Sequence, residues 1–241
     1  MKEQNLQDYF QDALRAPLQR KSFLKYTAIS GITMALGLEA CKKDNTPANP
    51  AQFTDVGSGD TGILNFAYAL EQLEAAFYIK VNASFYSNVT AEERQILTDI
   101  MNHEIAHRDF FKAALGASAI KQLTADFASV DFSDRASVLS TAKALEDTGV
   151  SAYNGAGKYI QSADYLTLAG KIVSVEARHA SAIRDLLMPK TASFAGDDVV
   201  NPTSGLDFSR TPNATDSTHP MSIVATANTF LTTKISASKL P

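Results

Sequence analysis

Cysteine is almost missing from this chain: its 241 residues include one, Cys41. A single thiol excludes an intrachain disulfide framework and any metal site built from several cysteines. Tryptophan is absent altogether, and nothing resembles a platform for stacking nucleic-acid bases. The formal net charge of -4 is too small to draw in nucleic acid or to bind a membrane surface by a broad field. No glycine-rich phosphate loop follows a strand-like run, and no glycine-flanked serine offers a nucleophile. The apolar stretch from Tyr26 to Leu38 covers only about a dozen residues, too few to span a bilayer. The length supports one sizeable core with tails.

That short apolar stretch follows Arg20-Lys21-Ser22-Phe23-Leu24-Lys25 and precedes Leu38-Glu39-Ala40-Cys41. Basic residues, an apolar run and a cysteine after small residues are the parts of an export signal. The last four residues resemble a bacterial lipobox, in which Cys41 is lipidated and becomes the mature N-terminus; Glu39 departs from the small residue usual there. The basic stretch resembles a twin-arginine signal with Lys21 in place of the second arginine, so the general secretory route stays open. The alternative is an N-terminal amphipathic helix with a buried thiol. The expectation is an exported cell-envelope protein, periplasmic or surface-facing, that touches the membrane only through a lipid anchor.

Residues 42–60 read as a polar, proline-bearing linker. Four helical segments follow, over about 61–84, 90–116, 133–161 and 163–188, with apolar residues at three- and four-residue spacings. Thr90-Ala91-Glu92-Glu93 is a capping-box pattern, and Pro189 ends the last helix. The connections run short, long, short. This predicts an all-α up-down four-helix bundle with one long crossover. Residues 189–241 read as a polar C-terminal extension packing on the bundle, with one short helix or strap at Met221 to Leu231.

Chemistry enters through an internal repeat. Ala69-Leu70-Glu71 with Tyr78 matches Ala144-Leu145-Glu146 with Tyr153; Glu104-Ile105-Ala106-His107 matches Glu176-Ala177-Arg178-His179. Residues i and i+3 share a helix face, so each Glu-x-x-His can aim both groups at one ion. A tyrosine seven residues after a glutamate lies near the same face, two turns on, where it can orient a ligand. Carboxylates with one imidazole per ion suit iron or manganese. Four carboxylates buried without a cation would cost several kcal/mol per charge or be forced to protonate. One Glu-x-x-His alone is usually a solvated face, and Tyr78 and Tyr153 taken singly would be ordinary core aromatics. Glu74 reads as an outer or surface carboxylate, His103 as a helix-surface residue pointing about 100° away from Glu104, and His219 and Asp197-Asp198 as loop residues.

The paired motifs resemble the ferritin-like superfamily, including bacterioferritins and rubrerythrins, over about residues 61–188. The run Ala-Leu-Glu-Gln-Leu-Glu-Ala-Ala-Phe-Tyr at 69–78 and Ser-Lys-Leu-Pro at 238–241 are similar to the exported ferritin-like proteins grouped with desiccation-related proteins. The resemblance implies two iron or manganese ions per chain. Glu104 and Glu176 would bridge them, Glu71 and Glu146 would be terminal ligands, and His107 and His179 would bind one ion each. Tyr78 and Tyr153 would support the ligands, and no catalytic residue would be separate from them. The implied chemistry is that of an oxidoreductase: oxidation of ferrous iron with O2 or peroxide, or peroxide breakdown at manganese. The alternative is a non-catalytic stress or desiccation-related envelope protein using the bundle for structure or interaction. A lipid anchor on every subunit and a long irregular tail fit poorly with a closed cage of twenty-four subunits; the oligomeric state is otherwise open.

Overall fold

The structure is a computed structural model that describes residues 53–196 and 223–240. The export signal, Cys41, His219 and Asp197-Asp198 lie outside the described residues. Four long helices form the body: α1 (Gly59–Ala83), α2 (Ala91–Leu115), α3 (Arg135–Ala156) and α4 (Ala163–Leu187). Among the described residues no helix is long and apolar enough to cross a membrane.

Local chemistry sets the helix boundaries. Thr90 and Glu93 form the expected capping box, each side chain bonding the other's backbone N–H. Asp134 caps α3, and Ser162 caps α4. The third helix ends at Ala156 and tightens into a single 3-10 turn at Gly157–Tyr159, short of the predicted end. The long connection between α2 and α3 begins with one 3-10 turn, Gly116–Ser118.

Two side chains show how the helices run. Asp60 at the start of α1 accepts the backbone N–H groups of Gln161 and Ser162 at the start of α4. Arg135 at the start of α3 bonds Glu93 at the start of α2 and the Leu186 carbonyl near the end of α4. Thus α1 and α4 run one way and α2 and α3 the other, as one long crossover requires.

That crossover lies along α1, and its backbone would be costly to bury unpaired. Asn65 binds the Ser118 carbonyl and the Ile120 N–H, and Gln72 accepts from the Leu123 N–H. As a result α1 is buried around nearly its whole circumference over Gly62 to Ala75.

The tail does more than the strap expected for it. A short helix α5 (Ile223–Thr229) leads to β2 (Lys234–Ser236), which pairs in parallel with β1 (Phe53–Asp55). Asn228 holds both the N–H and the carbonyl of Ile235. Val224, Ala227, Leu231 and Ile235 are all buried in the main core. Two readings are corrected here: residues 53–60 carry β1 and the first turn of α1 rather than linker, and the tail contains a strand. Neither three-residue strand has the length or alternation that makes a strand legible.

Gly62 is where this tail closes on α1. A Cβ there would lie 2.6 Å from the Gly57 carbonyl carbon and 2.9 Å from Leu240 Cδ2. Gly57 itself has φ +93°, so that backbone has little room to yield. Gly62→Ala is expected to cost about 1–3 kcal/mol as an overpacked core does, read as a lower midpoint in a thermal melt. An unchanged midpoint would contradict the packing described.

Candidate metal centre

Each site side chain sits at the middle of its helix, where the backbone is fully hydrogen-bonded and the frame is rigid. Glu71 comes from α1, Glu104 and His107 from α2, Glu146 from α3, Glu176 and His179 from α4. All four glutamates are fully buried, His179 is nearly so, and His107 is 14% exposed.

The six side chains form two groups that share two members. Glu71, Glu104, His107 and Glu176 make one, and Glu104, Glu146, Glu176 and His179 the other; donor atoms within each lie within 4.8 Å of one another. The distances follow the sequence repeat. His107 Nδ1 lies 2.6 Å from Glu176 Oε1, 3.4 Å from Glu71 Oε2 and 3.7 Å from Glu104 Oε2. His179 Nδ1 lies 2.6 Å from Glu104 Oε1, 3.5 Å from Glu176 Oε2 and 3.7 Å from Glu146 Oε2. Each imidazole therefore comes closest to the glutamate of the opposite Glu-x-x-His element.

The 2.6 Å approaches are ion pairs when the imidazoles are protonated, but none of these contacts has the geometry of a hydrogen bond. Glu71 Oε2, both oxygens of Glu104 and of Glu176, Glu146 Oε2, and the Nδ1 atoms of His107 and His179 are all buried without a hydrogen-bond partner. Buried polar atoms in folded proteins are nearly always satisfied. Here eight unsatisfied donor atoms face one another in one interior region, which is the arrangement a cation needs and a hydrogen-bond network does not.

The remaining oxygens of the terminal glutamates are held. Tyr78 of α1 donates to Glu146 Oε1 of α3 at 2.5 Å, and Tyr153 of α3 donates to Glu71 Oε1 of α1. The exchange crosses between the repeats because α1 and α3 are antiparallel: seven residues past the glutamate on one helix is level with the glutamate on the other. Burial, then the facing Glu146, hold the Tyr78 hydroxyl well above its usual pKa; burial and Glu71 do the same for Tyr153. Both phenols are thereby kept as donors. One residue after Glu146, Asp147 takes two hydrogen bonds from Arg184, fixing α3 against α4 beside the site.

Charge is distributed unevenly over the carboxyls. Burial, reinforced by Glu176, pushes Glu71 up to about 8. Burial and Glu104 push Glu146 well above the carboxylate range. For Glu104 burial is outweighed by the facing imidazoles of His107 and His179, which bring it down to about 2. The same contacts overcome burial to raise His179 to about 10 and His107 further still. Without metal the site thus holds protons where cationic charge is wanted.

Two residues left outside the site by sequence reasoning belong beside it. His103 is exposed, as its reading as a helix-surface residue has it, yet its Nδ1 lies 2.9 Å from His179 Nε2 and the rings stack. The 100° offset from Glu104 leaves it at the surface, on the side where α4 brings His179 to it. Glu74, read as an outer or surface carboxylate, is 2% exposed and packs against α3 at Gly149. A signal for His103 was present, since it takes the position before Glu104 that Val175 takes before Glu176.

The fold and this site define a class: a helical bundle whose interior gathers glutamates and histidines that can hold metal ions. Residues 59–189, just over half of the chain, match the family model of the ferritin-like domain, and the chain belongs to that family. Comparison with curated proteins returned no significant match.

Proposed function

We propose that this chain binds two iron or manganese ions and carries out redox chemistry at them, as an exported protein held at the cell envelope by lipid on Cys41. The observation that carries the reading is the set of eight buried, partnerless donor atoms arranged as two groups sharing Glu104 and Glu176. In this reading Glu71, His107 and the shared pair hold one ion, and Glu146, His179 and the shared pair hold the other. Four carboxylates match the charge of two divalent ions, and imidazole with carboxylate suits iron and manganese. Such a pair, when bound, supplies one-electron steps toward O2 or peroxide.

The chain's own residues do the rest. Burial of all four glutamates keeps bulk water from competing for the ions. Tyr78 and Tyr153 fix the terminal carboxylates and leave one oxygen of each free. The partial exposure of His107 marks the side from which an ion or small oxidant enters. A non-catalytic envelope protein would need neither the convergence of six buried side chains nor their lack of hydrogen bonds. The test is to load the mature chain with ferrous iron anaerobically and admit air or peroxide. Ferric absorbance should appear much faster than in protein-free buffer, or a manganese-loaded sample should consume peroxide. If both match buffer rates, the redox reading is lost.

His103 orients one ligand in this scheme. A metal-binding imidazole commonly donates its far N–H to a fixed acceptor, and losing that acceptor costs 10–100-fold in affinity. His103→Ala is expected to weaken one of two manganese-binding steps by about tenfold and leave the other near its wild-type value. Equal affinities in a calorimetric titration would show that His103 only covers the site.

A further inference from the structure

The internal repeat holds at the six ligands but not in the core layers that flank them. Residues of α1 recur in α3 75 positions on, as Glu71 does in Glu146; residues of α2 recur in α4 72 positions on, as Glu104 does in Glu176. At the Glu146–His179 end of the centre the core is filled by Phe77, Val81 and Leu97, none more than 1% exposed. The same offsets lead to Ala152, Ala156 and Ala169 at the Glu71–His107 end. Three large side chains thus answer to three alanines. Phe111 in the place of Ile183 returns only part of the lost volume.

What the alanines leave is a cavity of about 20 Å3, which they line together with Leu64, Phe111, Tyr153 and their neighbours. Phe111 lies one turn past His107, and Tyr153 donates to Glu71. The cavity therefore adjoins one ion position and not the other, about one helical turn, or ~5 Å, from its ligands. Every lining residue except Ile160 is buried. The one polar side-chain atom among them is the Tyr153 hydroxyl, already committed to Glu71. An enclosed water needs two to four polar partners, so a void of this chemistry stays dry and takes apolar guests. Its volume exceeds the roughly 10–15 Å3 that admits one water-sized molecule, and is far too small for an organic substrate. Unfilled core volume lowers stability, and the other half of the same chain carries residues that fill it.

We propose that this cavity holds dioxygen beside the Glu71–His107 ion position, which makes that position the one where the oxidant arrives. The inference rests on the redox reading above and names its oxidant. An uncharged diatomic gas suits a dry apolar void, whereas peroxide, which must hydrogen-bond, finds no partner there. The two ion positions have matching ligands, and the cavity is what tells them apart.

The test begins with metal-free crystals of the mature chain under krypton, an apolar gas close to dioxygen in size. An anomalous peak is expected against Ala152, Ala156 and Ala169, and none beside Phe77, Val81 and Leu97. Ala156→Val and Ala169→Leu each install the residue found at the matching place in the other half. Both variants should lose the peak while keeping two bound manganese ions and wild-type helix content. Their oxidation of ferrous iron should slow several-fold with dioxygen and keep its rate with peroxide. No krypton in wild type, or variants that lose krypton yet keep their dioxygen rate or slow equally with both oxidants, would overturn the proposal and leave the redox reading standing. A wild-type chain that takes up krypton but oxidises no ferrous iron would overturn both.

Discussion

Glu104→Ala is expected to abolish binding of both ions, whereas Glu71→Ala should abolish one. The difference follows from membership: Glu104 and Glu176 belong to both donor groups, and Glu71, His107, Glu146 and His179 to one each. Removing Glu104 leaves each ion position with three donors and withdraws a carboxylate that the facing imidazoles bring down to about 2, so that it is ionised before any metal arrives. Removing Glu71 strips one position of its terminal carboxylate and frees Tyr153, while the group around His179 keeps all its members. Metal analysis after dialysis should therefore give a graded series: full occupancy in wild type, about half in Glu71→Ala or Glu146→Ala, and almost none in Glu104→Ala or Glu176→Ala. Glu71→Ala and Glu146→Ala also leave the hydroxyl of Tyr153 or Tyr78 without its acceptor, so helix content by circular dichroism is recorded for every variant beside its metal content. Equal losses across the series would show that the two groups do not share ligands.

The second large effect is a pH dependence that reverses when metal is bound. In the metal-free protein Glu71 is raised from 4.5 to about 8. The folded state therefore holds a proton that the unfolded chain gives up, and this stabilisation erodes as pH climbs from 4.5 to 8. His179, raised from 6.5 to about 10, contributes stability that is complete below 6.5 and lost as pH rises to 10. Glu104 acts oppositely: lowered from 4.5 to about 2, it contributes above 4.5 and ceases to as pH falls toward 2. Metal-free protein should thus be most stable near pH 4.5 to 6 and weaken steadily above. A loss of ~2 kcal/mol would lower the melting midpoint by roughly 4–8 °C in a chain of this size. Metal ions need those protons gone, so their affinity should rise over the same range. The gain in midpoint on adding manganese should grow from pH 5 to pH 8. A constant or shrinking gain would mean that these groups do not exchange protons for metal.

The helices and the six converging side chains were legible in the sequence because both rest on short spacings. Glu-x-x-His fixes two groups on one face within a single turn, and its recurrence on alternate helices defines a pair. Capping at Thr90 and the break at Pro189 are equally local. What stayed hidden depends on how helices face one another. His103 lies 100° from Glu104 on its own helix, yet α4 packs on that side and brings His179 to it. Glu74 resembles a surface residue until α3 supplies a glycine opposite, and that glycine is visible only as a mismatch in the repeat. The crossing of the tyrosines between repeats likewise follows from the antiparallel run of α1 and α3. The β1–β2 pair joins residues near the two ends of the domain through three-residue strands, too short to show alternation.

The most direct test is elemental analysis of the mature chain, purified from iron- and manganese-replete cells and repeated on Glu104→Ala. The two donor groups predict two iron or manganese ions per chain, falling to a trace in the variant. A wild-type chain with only a trace of metal, or a variant that keeps the wild-type content, would contradict the account.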